Sequence, residues 1–495
     1  MRIGIMCPGI AKHDAVGNDA VGMYRALKHA GHDVHLMTPN GTSASPYTTW
    51  KYADADWLFS DPESLIVYHY CTADPSAISV LQRLPCRLAL RYHNVTPSHF
   101  MAPFSLDFAL ACKAGRRGIG DMLSLPFDFI LSDSQYNSDE LISRGYPESN
   151  IEVLPPFHCI DELLSENEEH GTVIHLRKAH INIVSVGRIV PNKGHALMIE
   201  AMATVKKRGI DATLHLIGGF DRRLSTYSDM LQDKICKLNV EDRVQFHPVV
   251  PGNALASYYR HSDVFWTASQ HEGFCVPAIE AMAFGLPIIS STRGALPSTC
   301  GDAALYADTP VDMAKFIENF AEDDDLRIQY GQRGKERYRA FKNREIGFRL
   351  LELVERRWVE KGLTTNDWFG LPDPNRVESL ARRYYSKPTL TEGHRRAAIA
   401  AVLVNAGSDP EACAYFSSPD VRAYANEVSI PQNGARLSPA SKLLWTFSGL
   451  ARSRFPLHDA ENASAYWSWF RRWASVALSP LMSARERELI NTART

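Results

Sequence analysis

Four charged residues fall in two short runs whose spacing invites chemistry. Glu272 and Glu280 stand eight positions apart in His271-Glu272-Gly273-Phe274-Cys275-Val276-Pro277-Ala278-Ile279-Glu280. Arg188 and Lys193 lie in Gly187-Arg188-Ile189-Val190-Pro191-Asn192-Lys193-Gly194. The two carboxylates have different settings. The apolar run Val264-Phe265-Trp266 reads as a buried strand, and a loop after it carries Glu272 and Gly273. A helix follows from near Pro277, where a missing N–H costs nothing, and Gly285 closes it. Glu272 is therefore placed at the carboxyl end of a strand. Glu280 lies about one turn into a helix whose N-terminus faces the same crevice, where open α/β sheets bind ligands. Free backbone N–H groups around Phe274, Cys275 and Val276 would suit an anionic phosphate. The plainer alternatives are an amphipathic helix with two solvated glutamates, and a surface ion pair for Arg188 and Lys193.

The context of the glutamates narrows the choice. Gly273-Phe274 follows the first, Pro277 precedes the second by three, and Ala281 to Pro287 reads Ala-x-x-x-Gly-Leu-Pro. In this combination the stretch resembles the E-x7-E signature of the retaining family-4 glycosyltransferases, which have the two-domain GT-B fold. The Gly-Arg-x(4)-Lys-Gly run resembles the second signature of that family. The resemblance implies an α/β protein with two Rossmann-like domains facing a cleft. It also implies transfer of a sugar from a nucleotide-diphosphate sugar to an acceptor, with retention of configuration. The acceptor class would be a glycan, a lipid-linked glycan or another polysaccharide precursor. Arg188 and Lys193 would hold the diphosphate, whose growing negative charge two fixed cations offset in the transition state. Arg can grip two phosphate oxygens at once, whereas Lys acts as a point charge. Glu280 would bind the ribose hydroxyls, and Glu272 would orient the transferred sugar. No cofactor beyond the donor and no metal are implied, because the two cations can do the work of Mg²⁺.

The elements that position these residues can be read along the chain. Ile3 to Cys7 and Val34 to Met37 are expected as the first two strands, around a helix from about Ala20 to Ala30. The loop between them carries Gly17-Asn18, where the family usually has adjacent glycines. Gly17 would let backbone approach a ligand, or Asn18 would merely cap the helix. Leu65 to Tyr70 and Arg87 to Tyr92 read as parallel strands, and the second runs into His93-Asn94-Val95-Thr96-Pro97. By resemblance, His93 faces the bound sugar from the N-terminal side; His69 reads as packing or as a minor contributor to the pocket. Arg116 and Arg117, on a helix expected from Phe104 to Leu123, would line the acceptor side or form a solvated basic turn. After an acidic linker over Asp161 to His170, strands at Ile181 to Val186, Thr213 to Ile217 and Val244 to Val249 begin a second series. Gly218 and Gly219, after the second of these, would let the donor come close to backbone. The donor-binding set is thus Gly17, Gly218, Gly219, Gly273, Phe274, Cys275, Val276 and Glu280, with His93, Arg188, Lys193 and Glu272 as the catalytic set.

Length and composition fit this reading. The 495 residues suffice for two or three domains. The expected division is 1–165, 166–345, a crossover helix 346–363 that returns to the first domain, and a helical extension 364–495. A composition of 45% hydrophobic and 22% charged residues is ordinary for a globular protein. The net charge of −2 gives no reason to expect nucleic acid. Nine cysteines without a C-x-x-C pair fit a reducing cytoplasm, with the inner face of the membrane as a second expected location. In the extension, Tyr466, Trp467, Trp469, Phe470 and Trp473 are expected on one amphipathic helix. That stripe suggests core packing on the catalytic domains, or self-association or a partner, which is favoured slightly, with peripheral membrane contact the minority reading. Three rival functions share parts of the pattern. A glycoside hydrolase needs two carboxylates but not Arg188 and Lys193. A GT-B-like sugar-nucleotide epimerase shares the diphosphate grip without an acceptor, and a non-catalytic scaffold would tolerate loss of the motif residues.

Overall fold

The computed structural model describes residues 1–10, 14–41, 47–176, 181–359 and 379. Apart from that isolated residue, the tail 364–495 with its aromatic stripe lies outside them.

The chain forms two parallel sheets. The first contains β1 (Arg2–Met6), β2 (Asp33–Thr38), β3 (Thr49–Lys51), β4 (Leu65–Tyr70), β5 (Arg87–Tyr92), β6 (Phe127–Ser132) and β7 (Ile151–Val153). Their order is β3-β2-β1-β4-β5-β6-β7. The second contains β8 (Ile181–Val186), β9 (Ala212–Ile217), β10 (Val244–His247), β11 (Val264–Thr267), β12 (Ile288–Ser290) and β13 (Ala304–Tyr306), in the order β10-β9-β8-β11-β12-β13. Helices cover both faces of each sheet, so the strands are apolar almost throughout, and every residue of β4, β5 and β9 is buried. The direction of winding reverses between β1 and β4, and again between β8 and β11. At such switch points adjacent loops diverge and leave a crevice at the strands' carboxyl ends.

Several elements depart from expectation. The first helix runs from Ala15 to His29, earlier than the hydrophobic spacing indicates, because the Asp14 side chain accepts from the Gly17 N–H and caps it. Gly17 is thus inside the first helical turn, not in an open loop, and Asn18 is not the cap. The acidic stretch Asp161 to His170 is not an open linker either. It contains the helix Ile160–Ser165 and the start of the helix His170–Leu176, and Ile160, Leu163 and Leu176 join the core beside Val184 and Phe265. After β13 come two helices, Pro310–Glu322 and Asp324–Tyr338, separated at Asp323, whose side chain caps the second through the Leu326 N–H.

The helix Asn343–Val359 leaves the second unit and lies against the first. Ile346, Leu350, Leu353 and Val354 are buried among Ile3, Val34 and Leu65. Phe348, on the other side of this helix, is 56% exposed. Burying each of these four aliphatic side chains is worth about 1.5–3 kcal/mol, which is how the last described helix ties the two units together. No helix among the described residues is long and apolar enough to cross a membrane.

Candidate active site

The loops after β8 and β11 bring the motif residues of the second unit together. Gln270 N–H donates to the Asn192 carbonyl at 2.7 Å, and the Asn192 amide donates to the His271 carbonyl at 3.2 Å. These bonds place Lys193 beside Glu272. The Lys193 Nζ donates to Glu272 Oε1 at 2.5 Å, and the Ser269 hydroxyl donates to the same oxygen at 2.7 Å. Burial works most strongly against the Lys193 ammonium, but the Glu272 charge, Cys275 and the hydrogen bond to Glu272 together outweigh it and hold its pKa above the ordinary value. Lys193, Ser269, Glu272 and Cys275 line one small pocket with Gly187 and His195. Arg188 is exposed at its rim and makes no side-chain hydrogen bond to the described residues.

The helix Val276–Phe284 begins in the same pocket. Its cap, Cys275, has φ 84° and ψ 74°. Asn94 and Asn239 are the other non-glycine residues with positive φ among those described, and Asn tolerates this region where Cys does not. The strained Cys275 backbone, worth about 1–3 kcal/mol, turns the chain so that the helix start faces the cleft. The Phe274 side chain packs edge-on to Phe341 in the core, leaving only its backbone for a ligand. Val276 also packs on that core. Glu280 is half-buried, and its Oε2 accepts from the Tyr259 hydroxyl at 2.7 Å. Burial raises the Glu280 pKa, and the Tyr259 bond works in the opposite direction.

Gly218 has a different reason to be glycine from the expected one. A Cβ there would collide with the Gly187 carbonyl of the neighbouring loop, and its N–H is taken by the His247 carbonyl at 3.0 Å. Gly219 has more room, with Val249 the nearest neighbour at 3.4 Å from a built Cβ. Gly17, held in the helix by Asp14, has its N–H occupied as well.

The first unit contributes a buried polar cluster at the carboxyl ends of its central strands. His93 lies directly after β5. Its Nδ1 is 3.0 Å from Asp133 Oδ2, and its Nε2 is 2.9 Å from His69 Nδ1. Both ring nitrogens of the expected sugar-facing histidine are therefore engaged, and its side chain is only 5% exposed. Arg91, fully buried in β5, donates through Nε to Asp19 at 2.8 Å and lies 2.9 Å from Asp133. Asp19 also accepts from the Phe157 N–H at 2.7 Å. Although burial alone would raise the Asp19 pKa, Arg91, His93 and His69 together hold it below the ordinary value. Burial keeps His69 neutral, well below its usual pKa. Donor atoms of Asp19, His69 and His93 lie within 4.8 Å of one another, a spacing a metal ion could use. Arg91 already sets a cation against that carboxylate.

Asp19, Arg91 and Asp133, which surround the expected His93, are the part of the site that motif reading missed. Asp19 stands just ahead of the expected helix start, Arg91 near the end of a strand, and Asp133 just after β6. One signal was present. Arg91 follows Leu88-Ala89-Leu90 in a strand buried on both faces, and a buried guanidinium needs a carboxylate partner. Arg116, which the sequence placed on the acceptor side or in a solvated turn, is instead paired with Glu140 and donates to the Val95 carbonyl at 2.8 Å.

Two parallel sheets with switch points facing one cleft define a GT-B architecture. Residues 168–337 match the family Glycosyl transferases group 1. Across 252 residues the chain is 28% identical to mannosylfructose-phosphate synthase of Agrobacterium fabrum, covering 49% of this chain and 56% of that protein. Across 217 residues it is 32% identical to D-inositol 3-phosphate glycosyltransferase of Corynebacterium glutamicum, covering 42% of this chain and 50% of that protein. The chain thus spans about half the length of these relatives. The structure of Anabaena HepE in complex with UDP-glucose superposes with a TM-score of 0.57 at 14% identity, covering 72% of this chain and 99% of that one. At that identity the likeness concerns the fold.

Proposed function

We propose that the chain is a glycosyltransferase that moves a hexose from a nucleotide-diphosphate sugar to a hydroxyl of a glycan or lipid-linked acceptor, with retention of configuration. The observation that carries this reading is the meeting of Lys193, Glu272 and a helix N-terminus at the β8/β11 switch point, with Arg188 exposed at the rim. Lys193 and Glu272 neutralise each other. A donor diphosphate would take over the Lys193 ammonium and recruit Arg188, and it would release Glu272 to orient the sugar. Fixed cations aimed at the leaving diphosphate stabilise its developing charge without reorganising. Glu280, steadied by Tyr259, would accept hydrogen bonds from the ribose hydroxyls. His93 would present its ring to the sugar from the opposite wall, fixed in place by Asp133 and His69.

The relatives support the reading because they are named as a synthase of a sugar phosphate and a glycosyltransferase acting on inositol phosphate. A sugar-nucleotide epimerase and a non-catalytic scaffold draw no such support. The test is incubation of the full chain with UDP-, GDP- and dTDP-hexoses and a panel of hydroxyl acceptors, followed by NMR of the product's anomeric coupling. An α-linked product from an α-linked donor is expected. An inverted product, or a rearranged sugar nucleotide formed without acceptor, would overturn it.

A further inference from the structure

The loop that carries Glu272 is gripped from both units. From its own side, the Ala295 N–H donates to the Glu272 carbonyl at 2.9 Å, and Asn192 holds the His271 carbonyl. From the opposite unit, the Ser134 hydroxyl donates to the Gly273 carbonyl at 2.7 Å. His271 Nε2 lies 2.8 Å from Asn94 Oδ1, and His271 Nδ1 lies 3.3 Å from the Tyr136 hydroxyl.

The direction of each bond in this network follows from one fixed acceptor. The Asn137 amide nitrogen faces the Tyr92 carbonyl at 3.4 Å, so Asn137 Oδ1 points to Asn94. The Asn94 Nδ2 then donates to Asn137 Oδ1 at 2.8 Å and to Glu140 at 3.2 Å. Asn94 Oδ1 is left as an acceptor, so His271 must carry its proton on Nε2. Its Nδ1 lone pair accepts from Tyr136. The imidazole is thereby used completely in its neutral form, in keeping with burial lowering its pKa to about 4.

Gly273 reports the same contact sterically. Its φ lies outside the left-handed region, so its own conformation does not demand glycine. A Cβ there would fall 2.8 Å from Asn94 Cβ, 3.0 Å from the His93 carbonyl and 3.3 Å from Asn137 Nδ2. All three neighbours belong to the opposite unit. Position 273 must be glycine only when the two units are closed.

We infer that His271, Asn94 and Gly273 form a latch between the units, with His271 and Asn94 as positioning residues that carry closure to the neighbouring Glu272. Closure lets Asn94 lock the His271 ring, and the locked ring holds the Glu272 carboxylate at Lys193. The inference deepens the glycosyltransferase reading for its consequences in turnover, but the latch itself is a property of the unliganded chain.

Small-angle X-ray scattering of the full chain tests it without any substrate. Gly273→Ala should give a larger radius of gyration than wild type, with an unchanged circular dichroism spectrum. Equal radii would overturn the latch. His271→Ala should also open the chain, and His271→Gln, whose amide nitrogen can reach Asn94 Oδ1, should restore part of the compactness. Equal behaviour of the Ala and Gln variants would contradict the role of Nε2. With a working donor, His271→Ala should lower kcat about 10-fold or more while donor KM changes less, and His271→Gln should recover part of it. A change confined to KM would remove the positioning role. Absence of turnover with any donor in wild type would count against the glycosyltransferase reading and leave the scattering result to decide the latch.

Discussion

The two walls of the cleft are built in opposite ways. The wall from the second unit takes its charged groups from two short runs, one after β8 and one after β11. Its charges are incompletely satisfied by the protein: Arg188 stands exposed, and Lys193 and Glu272 have chiefly each other. The wall from the first unit takes Asp19, His69, Arg91 with His93, and Asp133 from four separate places in the chain. It binds them to one another almost completely, under the surface. A site that must exchange partners keeps charge in reserve, and a site that must hold shape uses its charge internally. Under the proposed function, transition-state electrostatics would fall to the second unit and geometry to the first.

Substitutions at the two walls should therefore fail differently. The largest effect is expected at Arg91. Arg91→Ala would leave Asp19 and Asp133 buried without their cation, at a cost of about 3–5 kcal/mol. Urea denaturation reads this directly, and a stability within about 1 kcal/mol of wild type would dissolve the distinction between the walls. Lys193→Ala and Arg188→Ala should instead keep the fold and each lower kcat/KM by about 10²–10³. Near-normal turnover in either would remove the diphosphate assignment.

Smaller effects separate the two glutamates. Glu280→Ala should raise donor KM more than it lowers kcat, because hydrogen bonds to a charged acceptor are worth about 1.5–3 kcal/mol. Tyr259→Phe keeps the packing and removes the bond that steadies Glu280, so its effect on donor KM should have the same direction at about 1 kcal/mol or less. Steady-state kinetics on both variants checks the order.

The smallest effect is a pH slope across the boundary between the walls. His271 faces Glu140, Glu272, Arg116 and His99, and its pKa falls from the ordinary 6.5 to about 4 in the folded chain. The unfolded chain binds its proton first as pH drops. The stability that comes from burying neutral His271 is thus whole above pH 6.5 and is lost as pH falls towards about 4. His271→Gln should make the stability–pH curve shallower in that window. An unchanged slope would mean that the ring is not held neutral at the boundary.

Much of the second wall was legible because its chemistry and its local structure share the same few residues. Glu272 follows an apolar strand, Pro277 starts the helix and Gly285 ends it, so the motif carries its own scaffold. The parallel sheets were legible for a similar reason, since strands such as Leu65 to Tyr70 are apolar on both faces. The first wall was not. The partners of Arg91 come from the first helix and from the end of β6, and no spacing rule links them. The placement of Gly17 failed on a local competitor, the Asp14 cap, which adds a turn ahead of the apolar pattern. Gly273 was noticed as part of the motif, but the need for glycine there comes from Asn94 across the cleft. Only the folded pair of units shows it.

The central claim is that Lys193 exchanges Glu272 for a donor diphosphate. Thermal unfolding of the wild type and of Lys193→Ala with UDP-, GDP- and dTDP-hexoses tests it most directly, since a ligand bound only by the native state raises stability by mass action. At a concentration of 100 Kd the gain is about 2.7 kcal/mol. At least one nucleotide sugar should raise the wild-type melting temperature, and Lys193→Ala should lose most of that rise. An equal rise in both proteins, or no rise in the wild type with any of the three classes, would contradict it.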